Sequence, residues 1–385
     1  MSIKDIPDFY NKQLKIIDKK CKKYIQVNNN EDFNEIYFIP DIHGDFDSFI
    51  NIMKKIDCIS IVNNKIKWNP KSKNICIIQS GDILDGYRPK SDRSKIFSYD
   101  LLIIKIMLIL NNQAKQYNSK IILLYGNHEI QSLITHLYNK FNKDEYTYKI
   151  KHPDSKKEFV DYQKQFLKLK DYIMCNYKSV VLINGILVCH CGLIKDIINK
   201  ILNKCHISIN GLNNNDKIDI INKCGLVILN YLVDKSKNTV LTKENNEDFN
   251  DLLQLYELRN YSANGEKERF KYVKDLNNDL ITLNQYIKFN TMIIGHNITH
   301  NKHPRKFITF NKMNTLYSSD VGLSRTFEFR YPHYIGNEFL KYTKENDIEV
   351  IKFDNIHNDF TEQMNNNKIS IKCSIKKNTI KIKKN

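Results

Sequence analysis

The sequence predicts an α/β protein, a β-sandwich flanked by helices and carrying helical insertions. Three observations predict it. Apolar runs of three to five residues, mostly β-branched or leucine, recur along the chain, as suits strands buried on both faces. Longer stretches with helical spacing of apolar residues lie between them. Polar, lysine-rich stretches of helical pattern interrupt the alternation.

In order, residues 1–30 read as a polar helical extension that ends in an asparagine loop. The expected strands are Ile36–Ile39, Ile75–Ile78, Ile121–Tyr125, Val180–Ile183, Ile186–Cys189 and Met292–Ile294. Asp47–Ile56 and Tyr99–Tyr117 are the expected helices between them. Asn184-Gly185 joins two strand runs directly and predicts a hairpin, because a type I′ turn needs positive φ at both central positions. The insertions fall near 139–176 and 195–290, and no linker composition separates them, so 31–362 is expected as one domain with elaborations. Residues 363–385 hold no acid and carry Lys368, Lys372, Lys376, Lys377, Lys381, Lys383 and Lys384, which predicts a frayed, solvated basic tail.

At 385 residues and 41% hydrophobic, the chain can bury a sizeable core, which excludes disorder of the whole. No run of about 18 uncharged apolar residues is present; Leu101–Leu110 is short and contains Lys105. Met1 to Tyr10 is polar and carries acids, so a soluble cytoplasmic protein with no membrane partner is expected. The nine cysteines form no C-x-x-C pair and are expected as free thiols. Cys189 and Cys191 flank His190 as in a thiolate zinc site, but no second cysteine pair completes one. The net charge of +17 raises nucleic acid as a partner. Yet the lysines are scattered among asparagine and isoleucine, the mark of a coding bias, and nucleic acid is not expected.

The residues just after each apolar run carry the chemistry. The first run leads to Asp41-Ile42-His43-Gly44, the second to Gly81-Asp82-Ile83-Leu84-Asp85, and the third to Gly126-Asn127-His128-Glu129. Ile186–Cys189 leads to His190-Cys191-Gly192, and Met292–Ile294 to Gly295-His296. In α/β sheets ligands gather beyond the strand ends, and a neighbouring glycine lets the backbone turn toward them. One Asp or His after a strand is more often a cap or a turn; five in succession point to a site. Oxygen and imidazole donors without a thiolate quartet suit Mn, Fe, Zn or Mg. There are enough for two ions: Asp41, His43 and Asp82 for one, and Asp82, Asn127, His190 and His296 for the other, with Asp82 bridging.

This ordered set, D-x-H-G, G-D-x-x-D, G-N-H-E, H-x-G and a late G-H from Asp41 to His296, resembles the calcineurin-like metallophosphoesterases, and most closely their phosphoprotein phosphatase branch. Ser319-Asp320-Val321-Gly322-Leu323-Ser324 is similar to a segment of the bacterial-type, Shewanella-like phosphatases of that branch. The resemblance implies a metallophosphoesterase-type β-sandwich as the catalytic domain and two divalent or trivalent ions, Mn, Fe or Zn. It also implies hydrolysis of phosphomonoesters by direct attack of a metal-bridging hydroxide. The leaving alkoxide needs a proton, and His128, oriented by Asp85, is the expected general acid.

Three positions depart from the family pattern. Pro40 stands for a glycine, Cys191 for a small residue beside His190, and Gly86 for the arginine after Asp85. Arg88, together with Arg259 in Tyr256-Glu257-Leu258-Arg259-Asn260, is therefore expected to hold the non-transferred phosphate oxygens. His300 stands two residues too far from His296 to match the G-H-x-H of relatives. The expected partner is a phosphorylated protein or small phosphoester, with serine/threonine protein phosphatase as the leading reading. A nucleotide polyphosphate hydrolase of the dinucleoside tetraphosphate type, or a degenerate phosphatase acting as a binding module, are the alternatives.

Overall fold

The computed structural model describes residues 6–22, 32–84, 99–134, 155–239, 241, 246–258, 277–296, 306–310, 314–319, 338–345, 348–353, 363–364 and 368–384. In chain order the elements named here begin with α1 (Ile6–Cys21), β1 (Glu35–Ile39), α2 (Phe46–Lys55), β2 (Ile59–Val62), β3 (Lys65–Trp68), β4 (Ile75–Gln79) and α3 (Asp100–Ala114). Next come β5 (Lys120–Leu124), α4 (Asn127–Ile134), α5 (Ser155–Asn176), β6 (Tyr177–Lys178), β7 (Val180–Ile183), β8 (Ile186–Cys189), α6 (Lys195–Lys204), α7 (Asn214–Lys235) and α8 (Glu247–Glu257). The chain continues through β9 (Thr291–Ile294), β10 (Lys306–Phe310), β11 (Asn314–Ser318), β12 (Glu338–Thr343), β13 (Ile348–Lys352), β14 (Ile369–Ser374) and β15 (Thr379–Lys384). The expected mixed α/β character, with several sheets and flanking helices, is what forms.

Contacts group the chain into two compact units. The first contains Met1–Ile25, Tyr125–Met292 and Phe310–Asn314; the second contains Gln26–Leu124, Ile293–Thr309 and Thr315–Asn385.

The second unit is built on a sheet in which β1, β4 and β5 run parallel, with β12 antiparallel on the far side of β1 and β13 beyond it. Every residue of β4 is buried, which is why the run Ile75–Ile78 alternates with nothing polar. The register places Ile39 beside Gln79, so the chain leaves β1 and β4 at the same sheet end, two or three residues before Asp41 and Asp82. Helix α2 follows at once. Its N-cap Asp45 accepts the Ser48 N–H at 3.1 Å, and Lys54 and Lys55 in the last turn complement the helix dipole. The apolar run Leu101–Leu110 lies in α3 as a core helix. No helix among the described residues is long and apolar enough to cross a membrane.

The carboxyl-terminal segment corrects one expectation. Instead of a frayed tail, β14 and β15 form a hairpin that continues a sheet in the order β14-β15-β3-β2. Ile380 and Ile382 are buried while Lys381 and Lys383 between and beyond them are exposed. That period of two is a strand signal, and the weight of lysine hides it. Helix α3 packs on the apolar face of this sheet, and Gln113 Nε2 donates to the Asn378 carbonyl at 3.1 Å.

In the first unit, β7 and β8 form the expected hairpin, with Ile183 opposite Ile186. Asn184 and Gly185 have φ of 47° and 74°, the left-handed pair that the turn requires. The open side of β7 is satisfied by a side chain of α7: Asn222 Oδ1 accepts from the Ser179 and Val180 N–H groups at 2.7 and 3.1 Å, and its Nδ2 donates to the Val180 carbonyl at 2.8 Å. Lys204 at the end of α6 ties to Asp248 and Asp251 of α8 at 2.9 and 3.0 Å. A second correction concerns sulfur. Cys21 and Cys175 form a disulfide joining α1 to the end of α5, and the other seven cysteines remain thiols. Partners 154 residues apart have no sequence spacing that announces them.

Candidate functional site

The second unit brings Asp41, His43, Asp82 and His296 together, all buried. The first two motifs are sewn by backbone, since the Asp82 carbonyl accepts the Ile42 and His43 N–H groups at 3.2 and 2.9 Å. His43 Nδ1 lies 3.1 Å from the Leu84 carbonyl. With the ring N–H donating there, Nε2 keeps its lone pair, and it faces Asp82 Oδ2 at 3.8 Å. The Asp41 carboxylate accepts the His296 backbone N–H, at 3.1 Å to Oδ2. His43, Asp82 and His296 have φ of 44°, 55° and 63°. Such left-handed geometry costs an L-residue about 1–2 kcal/mol. It persists in buried side chains where surrounding bonds over-determine it, a pattern that concentrates at working sites.

The first unit brings Asn127, His128 and His190 into the interior. His190 follows β8, and Asn127 opens α4, as strand-end positions should. His190 Nε2 is 3.2 Å from Asn127 Oδ1. Glu129 Oε2 accepts the Gly126 N–H at 2.8 Å, the carboxylate half of a capping box, and so fixes the turn that presents Asn127 and His128. Gln131 Nε2 donates to Glu257 Oε1 at 3.0 Å, joining α4 to α8. The same helix is held from the other ligand loop: the Cys191 thiol donates to the Leu255 carbonyl at 3.2 Å and its sulfur accepts the Leu258 N–H at 3.1 Å. Burial pushes the Cys189 thiol up to about 12. With the Cys189 sulfur packed against that of Met292 and the Cys191 sulfur committed to α8, the two thiols make no zinc pair around His190. The donors that remain are imidazole nitrogen, carboxylate oxygen and an amide oxygen, a set that fits Mn, Fe or Zn.

The family profile of calcineurin-like phosphoesterases matches residues 35–297, more than half of the chain. The chain belongs to that family. Members of it use a dinuclear metal centre. This calcineurin-like phosphoesterase is 27% identical over 219 residues to Shewanella-like protein phosphatase 1 of Plasmodium berghei (strain Anka), a match covering 54% of this chain and 52% of that protein. The chain thus spans about half the length of that curated relative. Among solved structures, the cold-active protein-tyrosine phosphatase of a psychrophile Shewanella species aligns with a TM-score of 0.50 at 15% identity, covering 86% of this chain and 84% of that one. At that identity the likeness shows the fold.

Of the expected site residues of this calcineurin-like phosphoesterase, Asp85, Arg88 and Arg259 lie outside the described residues, as do Gly86, His300 and Asp320 to Ser324. Ser319, which opens that last segment, donates its hydroxyl to the Ile294 carbonyl at 3.0 Å and lies 3.2 Å from Ser80 Oγ. It braces the strand that leads to His296 against the one that leads to Asp82. Sequence reasoning missed Glu129 as a cap, although Gly126-x-x-Glu129 carries the spacing. It also missed the Leu84 carbonyl that sets the His43 ring, for which no letter of the sequence is a signal.

Proposed function

We propose that this chain is a metal-dependent phosphatase that hydrolyses phosphomonoesters, with phosphoserine or phosphothreonine in proteins as its substrate. The observation that carries the reading is the pair of buried couples whose ligand atoms face each other, His43 with Asp82 at 3.8 Å and His190 with Asn127 at 3.2 Å. Membership of the calcineurin-like phosphoesterase family supports it. Asp41, His43, Asp82, Asn127, His190 and His296 would hold two ions, with Asp82 serving both. When bound, the ions neutralise phosphate oxygens and make hydroxide available near neutral pH.

The remaining work falls to side chains. His128 gives a proton to the leaving oxygen, and Asp85 orients its ring. Arg88 and Arg259 hold the non-transferred oxygens with planar forks, in place of the arginine that Gly86 removes. A protein substrate is supported by the Plasmodium berghei relative, a protein phosphatase by name. The Shewanella structure is that of a protein-tyrosine phosphatase by name, which makes a phosphotyrosine peptide the necessary control. The test is metal analysis of the purified protein beside turnover of phosphoserine and phosphotyrosine peptides and of a dinucleoside tetraphosphate. Two metals per chain with preference for the phosphoserine peptide are expected. Preference for the tetraphosphate would replace the protein-phosphatase reading, and bound metal without turnover of any substrate would make the chain a binding module.

A further inference from the structure

The sheet β14-β15-β3-β2 has one face covered by α3 and the other open. Its open face carries Lys372, Lys381, Lys383, Lys65 and Lys67, all exposed. Pairing puts three of them in a single row, with Lys372 opposite Lys381 and Lys381 opposite Lys65. Neighbouring strands lie about 4.8 Å apart, and like charges directly opposite each other are destabilising. No ion pair of these five lysines occurs among the described residues.

A lysine-rich composition alone does not force this arrangement. In β12 and β13 of the same unit Lys341 stands opposite Glu349 and Glu338 opposite Lys352. There Lys341 Nζ is 2.7 Å from Glu35 and 3.8 Å from Glu349, and Lys352 is 3.6 Å from Glu338. One exposed sheet surface alternates charge across its strands, and the other repeats one sign across three. The second arrangement is complementary to something anionic.

We propose that the open face of this sheet docks an acidic, extended segment of another polypeptide. Three features select a polypeptide. The outward positions of the four strands hold no aromatic side chain on which a base could stack, so single-stranded nucleic acid gains only charge there. The cations are all lysine, which reads charge density and lacks the bidentate fork favoured for phosphate recognition. At the edge strand β2, Val62 stands opposite Lys65 on this face and is 53% exposed, an apolar margin that a peptide can cover and a phosphodiester backbone cannot. An extended chain presents alternate side chains about 7 Å apart, the same repeat that separates Lys381 from Lys383 and Lys65 from Lys67 along their strands.

The test uses the full chain and a fluorescent peptide of alternating glutamate and serine, read by anisotropy. It measures binding alone, so its outcome is independent of whether the chain hydrolyses phosphate. Lys381→Glu should weaken binding about tenfold or more. Its melting temperature should not fall, because the new carboxylate stands between Lys372 and Lys65. Lys381→Gln, which removes charge without reversing it, should weaken binding less, and raising the salt should weaken binding to the native chain. Equal affinity of native chain and both variants overturns the proposal. So does tighter binding of the native chain to a nucleic-acid duplex of matched charge or to anionic lipid vesicles.

Discussion

His43, Asp82 and His296 each combine burial, positive φ and a backbone hydrogen bond to another motif, so each holds its place by more than its own side chain. Asp82 is the sharpest test, since it is proposed to serve both ions while its backbone carbonyl binds the first motif. Asp82→Asn should lower the metal content at both positions and abolish most activity, while circular dichroism stays native. Retention of full metal and activity would refute the two-ion assignment. His128→Asn should slow alkyl phosphate hydrolysis by about 10² to 10⁴, the usual worth of general acid help. p-Nitrophenyl phosphate, whose leaving group needs no proton, should be slowed far less; equal losses on both count against the acid role. These side chains were legible because carboxylate and imidazole after a buried run are rare as a series. Cys191 was not: as a letter it looked like half of a metal site or a neutral swap, and only its bonds to Leu255 and Leu258 show a thiol holding a helix end.

Among elements, α4 is short, Asn127–Ile134, and begins on two proposed active-site residues, so its first turn must be fixed by something else. Glu129 does this through the Gly126 N–H. Glu129→Ala should cost about 1 kcal/mol in chemical denaturation and reduce metal affinity, whereas Glu129→Gln, which can still accept that bond, should restore most of both. If Gln is as damaging as Ala, charge and not capping is what the position supplies. The strands, the β7–β8 hairpin and the helix of Leu101–Leu110 were legible from period and turn chemistry. The β14–β15 hairpin was not, because strands whose outward positions hold only lysine, serine and threonine have the composition of a solvated tail. Its inward isoleucines are the signal, and they count only when read at every second residue.

At the scale of the molecule, the change from second unit to first at Leu124 and Tyr125 falls inside one apolar run, where no linker composition marks it. The disulfide was equally hidden, and its effect is the largest expected from a single substitution. Closing a loop of this length stabilises by about 4–5 kcal/mol in the chain-entropy account. Cys175→Ser should lower the denaturation midpoint accordingly, and reductant should lower the native chain to the same value. A reductant-insensitive native midpoint would mean that the pair is not oxidised in the purified protein. The bond between Cys21 and Cys175 also makes a covalent ring out of everything between them, including Asp41, His43, Asp82, Asn127 and His128. A protease that cuts once inside that ring therefore releases nothing: both pieces stay joined, migrate together without reductant, and separate only when the sulfur bridge is broken.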